Sequence, residues 1–139
     1  MRTLVAVPCA VSLMLAHAPA FSSEPAACSA DTLTSAASAL PDHDPALARR
    51  LVASGGLLLD VRTGEEYANR HIEGAINIPI GELKGRLAEI ERFTGSDKRT
   101  PIVVYCASGR RAQQAKDVLL EAGYEQVTNL GGIDDWNRR

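Results

Sequence analysis

The period of the apolar residues changes several times along the chain, and each change marks an element. Ile102, Val103, Val104 and Tyr105 form a continuous apolar, β-branched and aromatic run, which predicts a buried strand. From Ala112 the apolar positions are Ala112, Ala115, Val118, Leu119 and Ala122, one face of a helix, and Gly123 stands where a C-terminal cap belongs. Upstream, Leu57 to Val61 is again continuous, the form expected of a strand covered on both faces. Before it, Leu47, Leu51 and Val52 predict a helix with Asp44 as N-cap and Pro45 at the first position, ended by Ser54-Gly55-Gly56. Thr63-Gly64 leads into a short helix through Tyr67 to Asn69, and Ala75 to Ile78 reads as a strand stopped by Pro79. Leu83, Leu87 and Ile90, with Lys84, Arg86, Glu89 and Glu91 turned outward, predict one amphipathic helix over Gly81 to Phe93. A polar loop follows over Gly95 to Thr100. Gln126 to Leu130 is the last strand, and Gly131-Gly132 turns into a terminal helix pinned by Trp136. Strand alternating with helix implies an α/β fold, a central parallel sheet with helices on both faces.

The beginning of the chain follows a different pattern. Arg2 precedes an apolar run from Leu4 to Ala16, too short to span a bilayer comfortably, and Ala18-Pro19-Ala20 gives the small-x-small pattern of a cleavage site. Residues 1–20 therefore read as a cleavable signal peptide cut after Ala20, and the mature protein as periplasmic or secreted. Pro8, His17 and Pro19 disfavour a long membrane helix, and after cleavage no membrane partner is expected. Residues 21–43, rich in Ala, Ser and Pro, read as a flexible spacer. Residues 44–139 form the one folded domain that a chain of 139 residues has room for. With 23% charged residues and a formal net charge of −2, the arginine pairs are scattered, and no basic face for nucleic acid is present.

The chemistry concentrates between the central strand and its helix, in Cys106, Ala107, Ser108, Gly109, Arg110 and Arg111. A thiol at the end of a parallel strand, under a helix N-terminus, stands where ligands bind in open α/β sheets. Helix N-termini and neighbouring arginines stabilise a thiolate, and the amides from Ala107 to Arg111 can curl around an anion. Arg111, last in the loop, is placed to fold back over that anion, while Arg110 points outward to attract it. Cys106 is expected at a partly exposed site. Of the other cysteines, Cys9 leaves with the signal. A Cys28–Cys106 disulfide is the competitor to a free thiol in an oxidising compartment, but nothing in the spacer holds Cys28 against the loop. Asp60 is placed to cap loop amides and Arg62 to pair with Glu65 or Glu66. No metal-ligand cluster or nucleotide fingerprint appears.

The loop resembles the six-residue active loop of rhodanese-type sulfurtransferases, with glycine fourth and arginine sixth. Two further blocks carry the resemblance. One is Leu58-Leu59-Asp60-Val61-Arg62, Glu66-Tyr67 and His71-Ile72-Glu73-Gly74-Ala75-Ile76-Asn77-Ile78-Pro79; the other is Leu130-Gly131-Gly132-Ile133 with Trp136. The three lie in family order over about residues 45 to 139, and are most similar to the small periplasmic single-domain rhodaneses of the phage-shock type. The resemblance implies a rhodanese fold and a sulfurtransferase. Cys106 would carry sulfur as a persulfide, and Ala107, Ser108, Gly109, Arg110 and Arg111 would bind a small sulfur-containing anion such as thiosulfate. Asp60, Arg62 and His71 would give support, with His71 ordering its loop rather than acting as a base. The acceptor would be thiophilic: cyanide in an assay, a thiol or a protein in the cell. No cofactor is implied. Ala107 departs from the charged or larger polar residue of many thiosulfate-using relatives, and Ala107-Ser108-Gly109 is partly similar to mercaptopyruvate-using enzymes. The alternatives are a non-catalytic or sulfur-carrier rhodanese module that binds a partner protein, and a cysteine phosphatase or arsenate reductase. The latter places arginine six residues after cysteine, where Ala112 stands here.

Overall fold

The continuous apolar runs become the strands of one sheet. The computed structural model describes residues 40–139. The signal peptide, its cleavage after Ala20, Cys9, Cys28 and most of the expected spacer lie outside the described residues. In chain order the elements are α1 (Pro45–Ala53), β1 (Leu57–Asp60), α2 (Gly64–Asn69), β2 (Ile76–Asn77), a 3₁₀ turn (Leu83–Gly85), α3 (Leu87–Thr94), β3 (Ile102–Cys106), α4 (Arg110–Glu121), β4 (Val127–Gly132) and a terminal 3₁₀ helix (Ile133–Asn137). The strands are all parallel, in the order β2-β1-β3-β4. This is the expected α/β architecture.

Alternation along the buried strands divides the core between the two faces. Leu59, Ile102 and Val104 meet Leu83, Ile90, Ala112, Ala115 and Leu119, so α3 and α4 cover one face. Leu58, Val103, Tyr105 and Leu130 meet Ala48, Ile72 and Ile133, with Leu51, Tyr67 and Trp136 packed on them, so α1 and the terminal helix cover the other. Full burial of each such aliphatic side chain contributes ~1.5–3 kcal/mol.

Caps set where the helices start. The Asp44 carboxylate accepts the Leu47 N–H at 2.9 Å, with Pro45 at the first helical position. Thr63 and Glu66 form a reciprocal capping box on α2.

Two expected elements come out differently. The helix expected over Gly81 to Phe93 is broken at Arg86, between the 3₁₀ turn and α3. Gly85 weakens the helix there, and the Arg86 guanidinium spans the break, bonding Glu82 and Glu89. The last strand runs on through Gly131 and Gly132 instead of turning at them. Its pairing with β3 skips Leu130: Val104 faces Asn129, Tyr105 faces Gly131 and Cys106 faces Gly132. That bulge sets Gly132 beside the cysteine.

The end of the expected spacer is also ordered. Pro41, Asp42 and His43 lie along β4: the Thr128 hydroxyl donates to the Pro41 carbonyl at 2.7 Å, and the His43 N–H to the Asn129 carbonyl at 2.7 Å. Asp42 meets the Lys116 ammonium at 2.7 Å, a lysine whose side chain is only 8% exposed. An edge strand with free backbone groups and a buried lysine both need such a partner.

Candidate active site

β3 ends at Cys106, and the chain turns through Ala107 and Ser108 into α4. Gly109 makes the turn possible. Its φ of +87° is a backbone state that a side chain resists, and it places the Gly109 N–H 3.0 Å from the Cys106 sulfur. The Ser108 N–H points at the same sulfur from 3.4 Å. Two amide donors and a helix N-terminus thus converge on one sulfur, which stabilises negative charge there. Gly132 closes the other side. A Cβ on it would lie 2.7 Å from the Ala107 carbonyl oxygen, so only glycine lets β4 approach the loop this closely.

Cys106 is fully buried, where partial exposure was expected; exposed Ala107 and Ser108 lie above it in the chain's turn. It is the sole cysteine among the described residues. Arg110 is exposed. Arg111 does not fold back over the loop with its guanidinium free. Both of its Nη atoms are spent on Glu66, at 2.8 and 2.9 Å. The pair is about two-thirds buried on each side. Hydrogen bonds from Arg111, then the Thr63 N–H, pull the Glu66 carboxyl down to about 2, and Glu66 raises Arg111 in return. Glu66 stands in the sequence as a capping position, three after Thr63, and in the Glu66-Tyr67 block of the resemblance, but only the fold shows that its partner is Arg111.

Arg62 pairs with Asp60, not with Glu65 or Glu66. Asp60 Oδ1 accepts the Arg62 backbone N–H at 2.9 Å, and this turn brings the guanidinium back to the same carboxylate, Nη2 to Oδ2 at 2.6 Å. The same Nη2 donates to the Arg70 carbonyl at 2.6 Å. Burial opposes the charge on Arg62, but the hydrogen bonds and charge of Asp60 outweigh it and raise its pKa. Tyr105 lies beside them: its hydroxyl accepts the Ile72 N–H at 3.2 Å, and burial raises its pKa, keeping the phenol neutral. Asp60 and Arg62 thus anchor the segment that carries His71 rather than reaching the sulfur. His71 itself is exposed, stacked on Tyr67 at 4.0 Å between ring centroids, with Nδ1 2.9 Å from the Tyr67 carbonyl oxygen. Among the described residues no group of His, Cys, Asp and Glu is placed to hold a metal ion, and no helix is long and apolar enough to cross a membrane.

Residues 44–139 match the rhodanese-like domain family. The chain belongs to the rhodanese-like family. It is 46% identical over 77 residues to the thiosulfate sulfurtransferase PspE of Escherichia coli, covering 55% of this chain and 70% of that protein. A sulfurtransferase of Allochromatium vinosum is 40% identical over 83 residues, 59% of this chain and 72% of that one. Among solved structures, an E. coli rhodanese with anions superposes with a TM-score of 0.52 at 44% identity, over 58% of this chain and 89% of that one. The human single-domain sulfurtransferase TSTD1 gives a TM-score of 0.55 at 29% identity, over 70% and 91%. Fold and relatives together make the chain an enzyme of the sulfurtransferase class.

Proposed function

We propose that the protein moves a sulfane sulfur from a thiosulfate-like anion to a thiophilic acceptor through a persulfide on Cys106. The observation that carries this reading is the pair of amide donors, Ser108 and Gly109, aimed at the Cys106 sulfur under the N-terminus of α4. The Cys106 thiolate attacks the outer sulfur of the donor. A new S–S bond forms at Cys106, the S–S bond of thiosulfate breaks, and its electron pair leaves with sulfite. The loop amides stabilise charge on the sulfur during transfer, and exposed Arg110 draws the anion in. Cyanide then attacks the outer sulfur of the persulfide, giving thiocyanate and restoring the thiolate. The exposed His71 is stacked on Tyr67 and bonded to its carbonyl, away from the sulfur, so it takes no part as base. A phosphoryl group fits this loop less well, because its arginine comes one position early and is engaged by Glu66.

The test is intact mass. Thiosulfate should add one sulfur, about 32 Da, on Cys106 and nowhere else, and cyanide should remove it. Cys106→Ser should abolish both steps. Turnover near the wild-type rate in Cys106→Ser, or aryl phosphate hydrolysis by the wild type at comparable efficiency, overturns the reading. The apolar run of Leu4 to Ala16 and the Ala18-Pro19-Ala20 site support export to the periplasm or beyond, with a mature protein that begins at Phe21. N-terminal sequencing that finds Met1 on the mature protein refutes export by cleavage.

A further inference from the structure

A buried amide in a sheet is costly unless each of its polar atoms is satisfied. Asn129 on β4 is 2% exposed and satisfied, and its side chain reaches Gly109 of the cysteine loop. Its Nδ2 donates to the Gly109 carbonyl at 3.1 Å and to Gln113 Oε1 at 3.3 Å. Its Oδ1 accepts the Gly131 N–H at 2.9 Å, beside the bulge that seats Gly132 against Cys106. The Asn129 backbone is held from the other side: its N–H donates to Asp42 Oδ1 at 2.8 Å, and its carbonyl accepts the His43 N–H at 2.7 Å. Asp42 and His43 lie just upstream of the residues matched to the family, which begin at 44.

Gly109 is the residue whose N–H lies 3.0 Å from the Cys106 sulfur, and it does so in a left-handed conformation. Glycine adopts that conformation freely and leaves it as freely, and here two hydrogen bonds hold its carbonyl. The first-turn amide of Gln113 takes one side of that carbonyl at 2.9 Å, and Asn129 takes the other. We propose that Asn129 is a positioning residue for sulfur transfer, fixing the Gly109 peptides so that the amide stays aimed at the sulfur. Asn129 touches no donor and acts through Gly109. The proposal rests on the reading of Cys106 as the sulfur carrier.

The test uses the full chain with Asn129→Asp, Asn129→Ala and Ile90→Val. Asn129→Asp keeps the side-chain volume and the acceptor for Gly131 but loses the donor to Gly109. Ile90→Val trims the core at α3, where the side chain makes none of these hydrogen bonds, and reports the effect of lost stability. For folded Asn129→Asp, kcat/KM for thiosulfate should fall about tenfold. The rate of Cys106 alkylation by iodoacetamide should change at least about threefold in Asn129→Asp and also in Asn129→Ala, which adds no charge beside the sulfur, a readout that lost stability alone would not move. Ile90→Val should keep both rates within about twofold of wild type at a lowered Tm. An alkylation rate for Asn129→Asp or Asn129→Ala that changes less than that, or an Ile90→Val change as large, overturns the proposal. If Asn129→Ala fails to fold, Asn129→Ser, also uncharged, takes its place. If the wild type takes up no sulfur, the sulfur-carrier reading fails, while the iodoacetamide rates still judge Asn129.

Discussion

At the scale of the residue, two adjacent arginines have different work to do. Arg110 is exposed and unpaired among the described residues, whereas both Nη atoms of Arg111 are held by Glu66. A free surface charge acts at a distance and is screened by salt, with a Debye length of about 10 Å at 0.1 M. Arg110→Ala should therefore raise KM for thiosulfate several-fold at low salt, with little change in kcat, and the difference should shrink as salt is added. Arg111→Ala cuts a strut, so it should lower kcat and Tm together, independently of salt. Steady-state kinetics at two ionic strengths separate these outcomes, and identical behaviour of the two variants would refute the assignment. Tyr124 offers a contrasting case. Its buried hydroxyl has no hydrogen-bond partner among the described residues. Removing an unsatisfied group removes a cost, so Tyr124→Phe should melt at the wild-type temperature or above it.

At the scale of the element, a buried ion pair stands behind β1. Asp60 is fully buried and Arg62 nearly so, and the guanidinium also holds the Arg70 carbonyl. Asp60→Ala leaves a buried cation without its partner and should cost ~3–5 kcal/mol in urea unfolding. A loss below ~1 kcal/mol would mean that Arg62 finds another anion or water. Asp44→Ala, which removes only the cap of α1, should cost ~1 kcal/mol. The strands β1 and β3 could be read in the sequence because continuous apolar runs have few other uses in a covered parallel sheet. The cysteine loop was equally legible, since Gly109 and the flanking strand and helix lie within one short stretch. What the sequence hid came from pairings between distant segments. Nothing local says that Glu66 reaches Arg111, that Leu130 is skipped in pairing with β3, or that Asp42 answers Lys116. Lys116 was the available hint, being a charge on the side of α4 that also carries Ala112, Ala115 and Leu119. In the helix expected over Gly81 to Phe93, the apolar spacing survives the break because Leu83 and Ile90 are buried on the same core. Periodicity was right about the face and blind to the break at Arg86.

At the scale of the whole molecule, the sheet is held together at its C-terminal edge by ties between loops, and one of these ties is titratable. Glu66 belongs to the capping box that starts α2 after β1, and Arg111 to the turn of α4 that follows β3. Their pair therefore joins the connections of the two central strands around Cys106. The Glu66 carboxyl is lowered from its ordinary 4.5 to about 2, first by the hydrogen bonds from Arg111. A carboxyl held lower in the folded state than in the unfolded one contributes stability above the unfolded value. That contribution should be complete above pH 4.5 and should drain away as the pH falls towards 2. Because each side chain is about a third exposed, solvent screens the pair, and its worth is ~1 kcal/mol or less. Glu66→Gln keeps the volume and removes the charge. Urea unfolding of wild type and Glu66→Gln should differ by that amount at pH 6, and the difference should shrink below pH 4.5 and be mostly gone by about pH 2. A difference that stays constant down to pH 2.5, or grows, would show that the carboxylate is not held by Arg111 in the folded protein. The tie between the two strand connections would then lie elsewhere, with the shared backbone register of β1 and β3 as the remaining support for the cysteine loop.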